Sequence, residues 1–139
     1  MLDWLEIQKQ CFEWANTVAL DATGHKVSYS GKNEAGIDVR VKIKEIVSGN
    51  GLYWSDSNHA MIVLEAKHSD NDVTIKVAES NYADKWQNPP GDIPWERRVA
   101  CGKRTLTIKY EKDDAYLGTD AKADKRGHLK RYKAVDYTK

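Results

Sequence analysis

The sequence predicts an α+β fold, with an N-terminal amphipathic helix packed on a mainly antiparallel β-sheet of four to six strands. Three observations carry that expectation. Apolar residues recur at helical spacing near the N-terminus. Stretches at 37–43, 73–78 and 104–110 alternate with the two-residue period of a half-buried strand. Residues 60–80, AMIVLEAKHSDNDVTIKVAES, read as a β-hairpin. With 139 residues, 40% of them hydrophobic, the chain is long enough for one domain with its own core.

The helix is expected over roughly residues 4–20. Asp3 and Glu6 fit a capping box, Trp4, Ile7, Cys11, Trp14 and Val18 form the apolar stripe, and Gly24 is the stop. Val27, Ser28 and Tyr29 suit a short strand. Over 37–43, Ile37, Val39, Val41 and Ile43 are expected inward and Asp38, Arg40, Lys42 and Lys44 outward, with a bulge or strand end at 45–47. Residues 48–51, Ser-Gly-Asn-Gly, mark a turn. Leu52, Tyr53 and Trp54 follow as a short strand or a loop aromatic cluster.

In the hairpin, Ser69, Asp70, Asn71 and Asp72 are turn formers. A four-residue loop pairs His68 with Val73, Ala66 with Ile75 and Leu64 with Val77, and sets Ile62 on the same apolar face. The opposite face carries Val63, Glu65 and Lys67 against Ala78, Lys76 and Thr74. Three prolines and a glycine in 81–96, NYADKWQNPPGDIPWE, forbid a long helix or central strand there. Trp86 and Trp95 bracket those prolines, with Arg97 and Arg98 beside them. The last clear strand is 104–110, with Leu106, Ile108 and Tyr110 on one face. Beyond Glu111 no apolar period is sustained, although 128–135 suits a helical turn or an edge strand. The domain is therefore expected to span 1–111, with 112–139 a basic, irregular extension.

The formal net charge of +1 gives no overall nucleic-acid footprint. Residues 121–139 hold seven Lys or Arg against two Asp, a net +5, which leaves the remainder at −4. Such a tail is an interaction segment or a solvating terminus, and nucleic acid would engage it only there. A polar ending of this kind is disordered in a monomer and ordered when a neighbouring subunit holds it. Cys11 and Cys101 are expected as free thiols in a reducing compartment. No apolar run is long enough to span a membrane, and the first ten residues lack a signal-peptide pattern. Virion or cytoplasm is the expected location.

Several chemistries lack their motifs. There is no GxxxxGK or GxGxxG loop, no GxSxG elbow and no CxxC, and His25, His59, His68 and His128 are scattered without ligand spacing. No cofactor is expected. Two aromatic sets stand out for binding. Tyr53, Trp54, Trp86 and Trp95 would serve a small molecule or sugar if they lined one pocket. An interface with copies of the chain or other subunits would use Trp86, Trp95, Arg97, Arg98, Lys125, Arg126, Lys130 and Arg131.

Two resemblances sharpen these alternatives. Asp38 with Glu65-Ala66-Lys67 resembles the PD-(D/E)xK nucleases. That likeness implies that Asp38 and Glu65 hold Mg²⁺ while Lys67 steadies charge. It also implies a helix after the Glu-x-Lys strand, where this chain continues as a strand, and the hairpin register sets Glu65 across from Lys76 as an ordinary ion pair. The order of a helix then strands, with ERRVACGKRTLTIKYE at 96–111, resembles small phage tail-terminator or neck proteins. That likeness implies a non-catalytic ring subunit whose tail and Trp86–Trp95 region contact neighbours. The leading expectation is such a structural subunit, ahead of the nuclease and of the small-molecule binder.

Overall fold

The computed structural model describes residues 11–55, 59–80, 101–123, 127 and 129–139. Helix α1 (Cys11–Thr23) is followed by strand β1 (Arg40–Val41), a 3-10 turn (Ile43–Glu45), and strands β2 (Gly51–Trp54), β3 (Ala60–His68) and β4 (Asp72–Ser80). Strands β5 (Cys101–Tyr110), β6 (Gly118–Ala123) and β7 (Leu129–Val135) complete the order. No helix among the described residues is long and apolar enough to cross a membrane.

The α+β expectation is overturned. The strands run β1-β7-β2-β3-β4-β5-β6, all pairs are antiparallel, and β6 pairs back onto β7. Strands β2–β7 thus close into a six-stranded barrel, with β1 as one outer strand. The expected irregular basic tail is also corrected, because it supplies the two strands that close the wall. Closure leaves no long open edge, which is its physical reward in an antiparallel sheet.

The core has two parts. Leu52, Met61, Val63, Val73, Ile75, Val77, Leu106, Ile108, Tyr132 and Ala134 fill the barrel interior. Outside the wall, Ala15, Val18 and Ala19 of α1 pack with Ala60, Ile62 and Ala78, and the same cluster continues through Tyr53, Val135 and Tyr137. Gly24, at φ +78°, ends α1 where the sequence placed the stop, and its N–H bonds the Leu20 carbonyl at 3.0 Å.

The 37–43 strand is corrected to the two residues of β1. Ile37 is 59% exposed, and the chain turns as a 3-10 segment at Ile43. That turn drives Ile43 and Ile46 into one end of the barrel. His68 Nε2–H donates to the Ile46 carbonyl at 2.8 Å, and the Tyr110 hydroxyl donates to His68 Nδ1 at 2.7 Å, which fastens this plugged end.

The hairpin register holds from His68↔Val73 to Glu65↔Lys76 and then slips. A bulge at Leu64 pairs Val63 with Val77 and Ile62 with Ala78. Below it Met61 and Val63 point inward, while Ile62 points outward to α1. The predicted single apolar face of Ile62, Leu64 and Ala66 is therefore two faces, both covered.

Gly51 marks where the outer cluster comes closest to the wall. A Cβ there would meet the Tyr137 ring at 2.6–2.7 Å. Gly51→Ala is expected to lower stability by about 1–3 kcal/mol, seen as a lower urea midpoint at unchanged m value. The same change made in a Tyr137→Ala background should cost less, since the clash is gone.

Candidate functional site

Inward positions change character toward the end of the barrel opposite the isoleucine plug. Alternation along β4 carries Val73, Ile75 and Val77 inward, then Glu79. Along β5 it carries Ile108 and Leu106 inward, then Arg104. On β7, Ala134 and Tyr132 are followed at the same two-residue step by Lys130. On β2, Leu52 is followed by Trp54, the register partner of Tyr132. His59 lies just ahead of β3, opposite Trp54, whose backbone N–H donates to the His59 carbonyl at 3.0 Å. Six side chains from five of the six strand positions thus converge on one end.

Glu79 is the centre of this set at 1% exposure. His59 Nε2–H donates to Oε1 at 2.8 Å and Arg104 Nε–H donates to Oε2 at 2.5 Å. Burial alone would push the Glu79 carboxyl up. The His59 hydrogen bond and the Arg104 charge outweigh it and hold the group below its ordinary value. Arg104 also approaches the Met61 sulfur at 3.8 Å and keeps a quarter of its side chain exposed, so the end is not sealed from water.

The other three groups lie beside that network, with Arg104 close to the Tyr132 hydroxyl. Lys130 is 6% exposed, and its Nζ sits 4.6 Å from the centre of the Trp54 ring. Trp54 Nε1 and the Tyr132 hydroxyl are buried without a hydrogen-bond partner. Burial pushes the Tyr132 phenol well up, against the pull of the nearby Arg104 charge.

The residues singled out in the sequence fall elsewhere or divide. Asp38 is exposed and grips its neighbour Arg40, accepting from Nε and from Nη2 (2.8 Å), which pulls its carboxyl down to about 2. Glu65 is exposed, pairs loosely with Lys67 at 3.5 Å and lies across from Lys76. Asp38 adjoins β1, and strands β7 and β2 separate that strand from β3, so the structure does not bring Asp38 to Glu65 and Lys67. Among the described residues no group of three or more His, Cys, Asp or Glu is placed to hold a metal ion.

Tyr53 and Trp54 point to opposite sides of β2, Tyr53 into the outer cluster and Trp54 toward the interior. Trp86, Trp95, Arg97, Arg98, Lys125 and Arg126 lie outside the described residues. Of the expected interface cations, Lys130 points inward. Arg131 points out and clasps Glu111 through Nε at 2.8 Å and Nη2 at 2.7 Å, while the Thr119 hydroxyl donates to the same carboxylate. A separate, mainly apolar cleft of about 280 Å³ lies between α1, residues 47–50 and residues 136–138, and Thr23, Ser48, Asn50 and Asp136 are part of its lining.

Sequence reasoning passed over Glu79, Arg104 and His59. The available signal was a charged residue at an inward step of two otherwise regular strands.

Removing the Glu79 charge takes the buried carboxylate away from Arg104. Glu79→Gln is expected to destabilise toward the lower end of about 3–5 kcal/mol, because Arg104 retains some water. The Glu79 carboxyl sits below its ordinary 4.5 in the folded state. Its contribution is therefore complete above that pH and lost as pH falls below it. Urea midpoints at neutral pH and near pH 3 should show a shallower acid loss in Glu79→Gln than in the parent.

Comparison with protein-family models, with curated proteins and with solved structures finds no match for this chain.

Proposed function

We propose that the protein is a small-molecule binding module that receives a polar ligand at the Glu79 end of the barrel. The observation that carries this reading is the trio on the β2–β7 wall. The Trp54 indole N–H and the Tyr132 hydroxyl are buried with no hydrogen-bond partner, and the Lys130 ammonium lies over the Trp54 ring beside them. Leaving a buried donor unpaired costs about 1–3 kcal/mol, so an arriving acceptor gains what the folded chain forgoes. Barrel mouths are common places for such sites. The middle of this barrel is filled with side chains, so a ligand would meet these groups at its end.

The assembly reading drew its main support from the basic ending. Residues 118–123 and 129–135 are held by the chain's own ladder, with Tyr132, Ala134 and Val135 fully buried. Order in this stretch therefore no longer points to a neighbouring subunit. The aromatic set of the small-molecule reading contracts to Trp54 among the described residues, now joined by Lys130 and Tyr132.

The test follows the five tryptophan indole N–H signals in ¹H–¹⁵N spectra of the full chain, with Trp54 assigned through Trp54→Phe. A panel of glucose, glycine, acetate and inorganic phosphate is titrated. At least one is expected to move the Trp54 signal saturably while most backbone signals stay in place. A Trp54 signal that ignores every compound overturns the reading.

A further inference from the structure

We infer that the polar end of the barrel is a carboxylate site, taking the head group of a monocarboxylic acid against Lys130, Trp54 and Tyr132. The inference rests on the binding-module reading above and adds the chemistry of its ligand.

The first step is the placement of the donors. Lys130 and Tyr132 are two residues apart on β7 and share its inward face, and Trp54 is the register partner of Tyr132 on β2. The Lys130 ammonium covers the Trp54 ring at 4.6 Å. One patch of wall therefore presents an ammonium, an indole N–H and a phenol O–H. Lys130 and Tyr132 are more than nine-tenths buried, at 6% and 0% exposure. Of these three groups only the phenol oxygen can also accept, and the other two only donate.

The second step is the charge. The nearest buried carboxylate, Glu79, is fully engaged: Oε1 takes His59 and Oε2 takes Arg104. Among the described residues Lys130 has no carboxylate partner. Its ammonium lies over the ring face of Trp54. The patch is thus short of one negative charge and of acceptor oxygens.

The third step chooses between oxyanions. A carboxylate brings one charge and two oxygens, enough for the ammonium and the two neutral donors, and charge-assisted bonds of this kind are the strong ones. A phosphate dianion brings a second charge close to the fixed Glu79 carboxylate, and among the described residues the neighbouring cation, Arg104, is already paired with that carboxylate. A neutral amide of the same shape brings an oxygen but leaves Lys130 unbalanced.

The experiment uses the full chain and three probes, acetate, acetamide and inorganic phosphate, read at the Trp54 indole N–H signal. Acetate is expected to shift it saturably, with acetamide and phosphate each weaker by about tenfold or more. Lys130→Met should weaken acetate by about tenfold or more, and Lys130→Arg should restore part of the loss. Tyr132→Phe removes one buried donor and keeps the ring in the core, so it should stay folded yet bind acetate less tightly. Acetamide binding as well as acetate, or Lys130→Met and Tyr132→Phe both binding like the parent, overturns the carboxylate assignment and leaves the binding module standing. Phosphate binding more tightly than acetate overturns it in favour of a dianion site. Silence from all three, when glucose does shift Trp54, overturns it as well. Silence from every probe takes down both readings.

Discussion

Strand β7 is bonded on both sides, and everything else in the fold depends on that. Ala134 pairs with Leu52 of β2 and Arg131 pairs with Thr119 of β6, while Val135 meets Arg40 of the outer strand. Without these ladders β2 and β6 would be open edges and the inward faces of all six strands would meet water. With them the wall is continuous and its interior is small. About eight strands already give a barrel that side chains just fill. Six leave less room, which suits the valines, isoleucines, leucines and alanine found inside. A barrel this narrow has no central cavity to offer, so chemistry is confined to its two ends.

The ends are finished in opposite ways. At one, a 3-10 turn inserts Ile43 and Ile46, and His68 and Tyr110 tie the rim with neutral hydrogen bonds. At the other, the inward steps of β4, β5 and β7 place Glu79, Arg104 and Lys130. The bulge at Leu64 is part of the same solution. It shifts the lower half of β3 by one step, so that Met61 and Val63 serve the interior and Ile62 serves α1. One strand then feeds both parts of the core, which a single register cannot do.

Local rules read parts of this directly. The hairpin pairing near its turn, the stop at Gly24 and the alternation of Leu106 and Ile108 follow from turn chemistry and period. The closure did not show because it rests on the least strand-like stretches of the chain. Gly118–Ala123 reads GTDAKA and Leu129–Val135 reads LKRYKAV. In the second, every other residue is indeed inward, but the inward set is Lys130, Tyr132 and Ala134, and the lysine breaks the apolar signature. Counted with its outward neighbours, Lys130 looked like one more charge in a basic tail. The same masking hid Glu79 and Arg104, which extend the inward rows of β4 and β5 past the point where the apolar alternation ends. Pattern reasoning failed where charged side chains occupy core positions, which is where function tends to override local consistency.

Lys130 then poses an energetic question that the fold alone does not answer. Lys130 sits at an inward position with 6% exposure, where a cation gives up part of its hydration. The Trp54 ring returns about 2 kcal/mol or more of this. A methionine or leucine would cover the same surface with no such deficit, as Met61 and Leu52 do deeper in the barrel. Glu79 faced the same problem and is satisfied on both oxygens by His59 and Arg104. The chain thus balances its buried anion completely and leaves its buried cation to a ring face, beside two donors that have no acceptor. That asymmetry opposes stability and so calls for another cause. An incoming carboxylate supplies one, since the same three groups that burden the fold are those that would hold it.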